Sequence, residues 1–154
     1  MTDAPPRPGA AAQPTEVVVV GGLESEPLDV RALVDSVRRD DAGGLVVFEG
    51  TVRTPNHGHE VLALDYEAWE DKVPAQLERF AREAAEEHGL RAALAVHRVG
   101  RVEVGEPAVV IIAVGVHRDA AFVGARSLID RVKDEAWIWK KELRVGGEVW
   151  IEGC

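Results

Sequence analysis

The sequence has little of several residue types on which common functional sites are built. Its single cysteine, Cys154, excludes an internal disulfide framework and any zinc site made of several cysteines. The longest apolar run, residues 108–116, is too short to cross a bilayer, so we predict no membrane segment. No P-loop, GxGxxG or GxSxG motif occurs. His57 and His59 share a loop without a fixed third ligand, so we predict no metal site.

Positive charge is also scarce. The chain has 18 basic and 27 acidic residues, and its net charge of −9 argues against binding nucleic acid or an anionic membrane through its overall field. Yet Lys133, Lys140 and Lys141 lie within nine residues of one another. Either an anion binds near these lysines, or they are solubilising surface charges.

The hydrophobic pattern predicts one folded domain, residues 16–154, after a disordered Pro/Ala-rich tail, residues 1–15. The tail has no secretory signal, so we expect a cytoplasmic protein. Seven strands and three helices follow in the order β-α-β-β-α-β-β-α-β-β, which predicts an α+β fold with a mixed sheet. The apolar strand at 107–116 is expected at the centre of its sheet, and Asp119 is expected to cap the next helix.

His117 and Arg118 stand where that strand gives way to a helix. The free N–H groups and the positive dipole of a helix N-terminus favour anions, so this pair could complete a site for phosphate or carboxylate. The alternative is a salt bridge between Arg118 and a nearby acid.

Lys133 lies at the edge of the apolar stripe of the same helix. It could bury its stem and keep its ammonium in water, or it could be held in a cleft and serve acid–base chemistry. Lys140 and Lys141 follow on a predicted strand and therefore point to opposite faces, so only one of them can share a pocket with Lys133.

One further residue is a candidate on its position alone, and two others have structural interpretations. Arg53 ends a strand just before a loop, a common place for a binding residue, although an ordinary solvated charge is the alternative. His97 lies inside an apolar strand, and we interpret it as a hydrogen-bonded core residue. Cys154, at the chain end, is interpreted as an unpaired thiol rather than a nucleophile.

Several of these segments resemble the family of large, catalytic subunits of molybdopterin synthase. The resemblance extends from about residue 16 to residue 152, and its five ordered motifs make it specific. The matching segments are FEGTVR (48–53), LDYEA (64–68), HRVG (97–100), VGVHRDAAF (114–122), and Lys133 followed by WKKE (139–142) and Trp150.

The resemblance implies an α/β-hammerhead-type fold and a homodimer that binds two small ubiquitin-like sulfur-carrier subunits, giving a heterotetramer. Sulfur would pass from the carrier's C-terminal Gly-Gly thiocarboxylate to cyclic pyranopterin monophosphate, forming the dithiolene of molybdopterin. Lys133 and Lys140 are then expected to be catalytic. Arg53, His117, Arg118 and Lys141 are expected to bind substrate.

This function would explain the unusual composition of the candidate site. Sulfur arrives on the partner, so the chain needs no cofactor, metal or cysteine of its own. A non-catalytic module that grips the carrier tail is the alternative, but such a module would not need two lysines seven residues apart. A small anion-sensing regulatory domain is a third reading, and it would bind ligand without sulfur chemistry.

Overall fold

The computed structural model describes residues 16–152. The predicted tail and Cys154 lie outside the described residues. The described part contains three helices and eight strands: β1 (Val18–Glu24), α1 (Val30–Val37), β2 (Gly44–Thr51), β3 (Ala63–Ala68), α2 (Val73–His88), β4 (Ala92–Arg98), β5 (Gly100–Glu103), β6 (Pro107–Gly115), α3 (Arg118–Glu135), β7 (Ile138–Arg144) and β8 (Gly147–Ile151). The predicted α+β fold with three helices and a mixed sheet is confirmed.

The first sheet has the strand order β1-β4-β6-β2. Strands β1 and β4 are parallel, and the other pairs are antiparallel. Strand β6 lies inside this sheet and is buried along almost its whole length, as its apolar sequence predicts. Helices α2 and α3 cover one face of the sheet, while α1 covers the other.

Helix α2 packs closely on β1. Its buried residues Val73, Leu77, Phe80 and Ala84 recur at helical spacing, and Gly89 ends it in the left-handed conformation with φ of 65°. The close approach depends on Gly21, since a Cβ built on Gly21 would lie 2.1 Å from the backbone nitrogen of Glu78.

The second sheet is antiparallel, with the order β5-β3-β7-β8. The chain passes from the first sheet to the second at Gly100, whose φ of 87° suits glycine. The sequence pattern does not predict β5, because this four-residue strand follows β4 after a single residue and the two apolar patterns run together. A small apolar cluster includes Val52, Tyr66 and Val102.

The start of α3 also differs from the prediction. The N-cap is His117, not Asp119, which lies in the first helical turn. The backbone becomes helical directly after extended His117, two residues beyond the end of β6, so no linker remains for a later cap. Within residues 16–152, no helix is long and apolar enough to cross a membrane.

Candidate active site

Two neighbouring cavities lie where the C-terminal end of α3 meets the second sheet. The first, of about 350 Å³, is lined by His97 and is called here the His97 cavity. The second, of about 310 Å³, is lined by Arg53 and is called the Arg53 cavity. Both are lined by Tyr66, Val109, Lys133 and Lys140. The two lysines are therefore shared by both spaces.

The lysines converge because of the connection between α3 and β7. Lys133 lies in the last turn of α3, where a positive charge complements the helix dipole. The chain then turns within a few residues and enters β7, which places Lys140 beside the same cavities. Lys133 remains exposed and Lys140 is half-buried. The exposed side chain agrees with the first alternative for Lys133, and the same side chain also lines both cavities.

His97 lies beneath the lysines and is buried, as predicted for a core residue. Its Nδ1 lies 2.7 Å from the carbonyl oxygen of Arg98. Since a carbonyl only accepts, Nδ1 donates its hydrogen to it. The ring of Tyr66 meets the His97 ring edge-on, with 4.8 Å between the centroids. Burial lowers the pKa of His97 to about 4. The hydrogen bond to Arg98 acts in the opposite direction but is weaker than the effect of burial, and the charges of Lys133 and Lys140 lower the pKa further.

Arg53 is held by a chain of polar side chains on one wall of its cavity. Its guanidinium donates to Asn56 Oδ1 at 3.2 Å, and Asn56 Nδ2 donates to Glu142 Oε2 at 3.0 Å. Arg144 donates to the other carboxylate oxygen at 2.7 Å. Burial alone would raise the pKa of the fully buried Glu142. Its hydrogen bonds from Asn56 and Arg144 outweigh that effect and lower the pKa, so Glu142 remains an anion.

Lys141 lies on the opposite face of β7 from Lys140, as strand alternation predicts. Its ammonium is within 4 Å of the carboxylates of Asp65, Glu67 and Glu148, and it lies 5.0 Å from the centre of the Trp150 ring. The structure brings Lys141 to neither cavity. Its observed contacts tie β3, β7 and β8 together.

His117 and Arg118 are exposed at the N-terminal end of α3 and line neither cavity. Fifteen positions along the helix separate Arg118 from Lys133, which at 1.5 Å per residue is about 22 Å. Within a single chain, His117 and Arg118 therefore do not reach Lys133 and Lys140.

Three residues of the site were not singled out from the sequence for roles in it. His97 was interpreted only as core, although the HRVG motif contains it. Glu142 belongs to the WKKE motif, but no role was predicted for it. No sequence pattern pointed to Asn56, because its hydrogen-bond partner Glu142 is 86 positions away. Within residues 16–152, no group of three or more His, Cys, Asp or Glu side chains could hold a metal ion.

The arrangement combines cations that can hold anions with lysines that can give or take a proton. The fold and the shared lysines thus define a small α+β protein whose cationic site suits anionic ligands and acid–base chemistry.

Comparison with known proteins identifies the family. The model of the family described as "MoaE protein" matches residues 23–135. A curated relative from Oryza sativa subsp. indica, named molybdopterin synthase catalytic subunit, is 39% identical over 151 residues, covering 98% of this chain and 78% of the relative. The chain belongs to this family and is an enzyme of molybdenum cofactor biosynthesis.

Solved structures agree with this assignment. Molybdopterin synthase from Staphylococcus aureus superimposes with a TM-score of 0.80 at 28% identity, covering 86% of this chain and 96% of the other. A Helicobacter pylori structure, described as the complex of subunits 1 and 2 of molybdopterin-converting factor, gives a TM-score of 0.67 at 21% identity. It covers 88% of this chain and 90% of the other, and at that identity it supports the fold alone.

Proposed function

We propose that this chain transfers sulfur from the C-terminal thiocarboxylate of a small ubiquitin-like carrier subunit to cyclic pyranopterin monophosphate, with Lys133 and Lys140 as the catalytic residues. The observation that carries this proposal is that both lysines line both cavities. Two reactants must meet, and two spaces that share the same pair of ammonium groups give each reactant a place beside them.

The chemistry suits lysine. A thiocarboxylate and a phosphate ester are both anions, so positive charge is needed where they meet. When sulfur displaces oxygen at carbon, the leaving oxygen needs a proton, which an ammonium supplies and a guanidinium holds too tightly. The two lysines thus combine electrostatic binding with acid–base catalysis.

Arg53 makes its cavity the better place for the phosphate. Its guanidinium is exposed and held by Asn56, so it can still pair with phosphate oxygens. Asn56 is held in turn by the buried Glu142 carboxylate, which fixes the direction of the Arg53 head group. Lys141 is left out of this site because it faces the other side of β7.

We propose that His117 and Arg118 reach the substrate site of a second copy of the chain. These residues are about 22 Å from Lys133 along α3, so they serve a substrate site only if another protomer brings them there. A homodimer in which the N-terminal end of α3 of one protomer lies beside Lys133 of the other meets that requirement. One carrier on each protomer then gives the heterotetramer.

The test is to mix the purified chain with thiocarboxylated carrier and cyclic pyranopterin monophosphate. Mass spectrometry should show the carrier losing sulfur for oxygen while the pterin gains two sulfur atoms. Carrier with an ordinary carboxylate terminus is the matched control and should yield no product. If the carrier binds but the pterin gains no sulfur, the chain is a binding module, and the proposal is wrong.

A further inference from the structure

Tyr66 is a polar residue of the site to which the proposed reaction gives no role. Among residues 16–152, four line both the His97 cavity and the Arg53 cavity: Tyr66, Val109, Lys133 and Lys140. Val109 is apolar and the two lysines are cations. Burial raises the pKa of Tyr66 to about 12, so its hydroxyl is neutral near pH 7. Tyr66 therefore supplies the one uncharged polar side chain of this shared wall.

The position of the Tyr66 ring is fixed by its neighbours. Tyr66 lies directly opposite Lys140 in the antiparallel pair of β3 and β7, so both side chains leave the same face of the second sheet. The ring packs edge-on against the ring of His97, with 4.8 Å between the centroids, and belongs to an apolar cluster with Val52 and Val102. A ring held in this way keeps its hydroxyl in a constant position.

The Tyr66 hydroxyl has no partner within the described part of the chain. It makes no hydrogen bond with any of residues 16–152. It is also not sealed inside the protein, as the orphaned Nε2 of His88 is. Although only 9% of Tyr66 is exposed, that exposed part therefore includes the hydroxyl. A buried ring thus ends in a polar group that is available to a ligand.

The hydroxyl opens on the two cavities. Another open groove touches Tyr66, but it is lined by the strand neighbour Glu67 and the register partner Gly100, so it borders the backbone end of the residue. The two cavities are lined by Val109 of β6 and Lys133 of α3, which lie across from β3. They therefore reach the outer end of the ring, where the hydroxyl is.

A neutral hydroxyl on this wall suits one kind of acceptor. The lysine ammonium groups only donate, so they use the lone pairs of the hydroxyl and leave its hydrogen for a ligand. The phosphate suits the Arg53 cavity, where a third cation lies, whereas the reacting carbon belongs at the shared wall. In the proposed reaction sulfur displaces an oxygen from that carbon, and negative charge develops on the oxygen as its bond breaks. A fixed donor stabilises this charge more in the transition state than in the bound substrate.

We propose that Tyr66 is a further catalytic residue, whose hydroxyl donates a hydrogen bond to the pterin oxygen that sulfur replaces. Lys133 or Lys140 supplies the proton with which this oxygen leaves, and Tyr66 keeps its own. The identity of the oxygen rests on the proposed function.

Tyr66→Phe removes the hydroxyl and keeps the ring. Since the hydroxyl has no partner among residues 16–152, no group there is left unpaired, and the midpoint of urea unfolding should not fall. With thiocarboxylated carrier in excess, kcat should fall about 10–100-fold, the effect of one lost hydrogen bond to a developing charge. The KM values for the pterin and for the carrier should change little. A lower urea midpoint would make the hydroxyl structural, and a raised KM for the pterin at unchanged kcat would make it a binding group only. Either result would overturn the proposal.

A second measurement uses the fact that Tyr66 is the only tyrosine of the sequence. In wild-type protein labelled with ¹³C at tyrosine Cζ, a single signal reports on the hydroxyl. Cyclic pyranopterin monophosphate, added without carrier so that no sulfur can be transferred, should move this signal as it binds. Inorganic phosphate at up to about 10 mM is the matched control, a range that reaches weak binding. It lacks the reacting oxygen and should leave the signal unmoved.

The outcomes of this titration separate the two proposals. Equal movement with inorganic phosphate would place the hydroxyl on the phosphate group. No movement while calorimetry shows bound pterin would leave the hydroxyl without a contact to substrate. Either result overturns the role of Tyr66 and leaves sulfur transfer as proposed. If the wild-type chain transfers no sulfur in the assay described above, the proposed function is wrong, and the role of Tyr66 fails with it.

Discussion

At the scale of single residues, the buried imidazole of His97 ties stability to pH. The pKa of His97 is about 4 in the folded chain and about 6.5 when unfolded, so the unfolded chain binds more protons between these values. The histidine therefore costs no stability above pH 6.5 and destabilises the fold as the pH falls towards 4. Between pH 7 and pH 5, it should lower the free energy of unfolding by about 2 kcal/mol.

Urea unfolding of wild type and His97→Gln at both pH values measures this effect. Glutamine does not titrate, so the loss of stability on acidification should be smaller in the variant by about that amount. Equal losses in the two proteins would contradict a neutral buried His97.

Arg118 is an exposed residue, and we propose that it serves substrate binding rather than folding. Arg118→Ala should weaken binding of the cyclic pterin substrate by about 1.5–3 kcal/mol, the range for a hydrogen bond to a charged group. Carrier binding should change much less, and both are measurable by calorimetry. Arg82→Ala, which removes an exposed arginine of α2 paired with Glu78, is the control and should alter neither. Equal losses for substrate and carrier would make Arg118 a structural residue.

At the scale of the elements, the sequence predicted the parts that depend on local pattern. The resemblance grouped Lys133 with Lys140, and both side chains line the same two cavities. Strand alternation was sufficient to separate Lys140 from Lys141. The four-residue strand β5 was missed because a strand that short has no period of its own, and His117 was missed as a cap because its side chain makes no capping bond.

The contact between β1 and α2 gives a test at this scale. A Cβ on Gly21 would lie within 2.6 Å of three backbone atoms of Leu77 and Glu78, so Gly21→Ala should push α2 off the sheet. We expect a loss of at least about 1–3 kcal/mol in the free energy of unfolding, the usual cost of overpacking. Gly22→Ala is the neighbouring control, because a Cβ there has no atom within 4 Å, and it should stay within about 0.5 kcal/mol of wild type. Similar losses for the two would contradict this packing.

At the scale of the whole molecule, the site depends on contacts that no local pattern encodes. Asn56 and Glu142 meet across 86 positions, and Tyr66 meets His97 only because β5 links the two sheets. The distance between Arg118 and Lys133 likewise follows from the length of one straight helix. The sequence motifs grouped Arg118 and Lys133 in one site, whereas the fold separates these two residues within a single chain.

Several aromatic side chains are exposed, and we expect a homodimer to cover some of them. Trp139, Trp150 and Phe122 are all more than half exposed. We predict a homodimer without the carrier, so light scattering at micromolar concentration should give the mass of two chains. A monomer mass would count against it.

A dimer with composite sites also predicts complementation. At substrate concentrations far too low to saturate Arg118→Ala, this variant and Lys133→Arg should each have little activity alone, yet mixing them under conditions that exchange subunits should restore activity. Random pairing in a two-fold dimer makes half of the dimers mixed, each with one intact site, so about a quarter of wild-type activity is expected. No recovery after demonstrated exchange would mean that the two residues do not share a site across protomers.

The most direct measurement of the central claim is the rate of sulfur transfer by Lys133→Arg and Lys140→Arg, with thiocarboxylated carrier and cyclic pterin both saturating. Each variant keeps a positive charge but cannot release a proton near neutral pH, so each should lose about 10²–10⁴-fold in rate, the usual contribution of acid–base catalysis. Lys72→Arg changes an exposed lysine before α2 and should match wild type. If either site variant turns over at nearly the wild-type rate, that lysine acts only as a fixed charge, and the account of catalysis given for it is wrong.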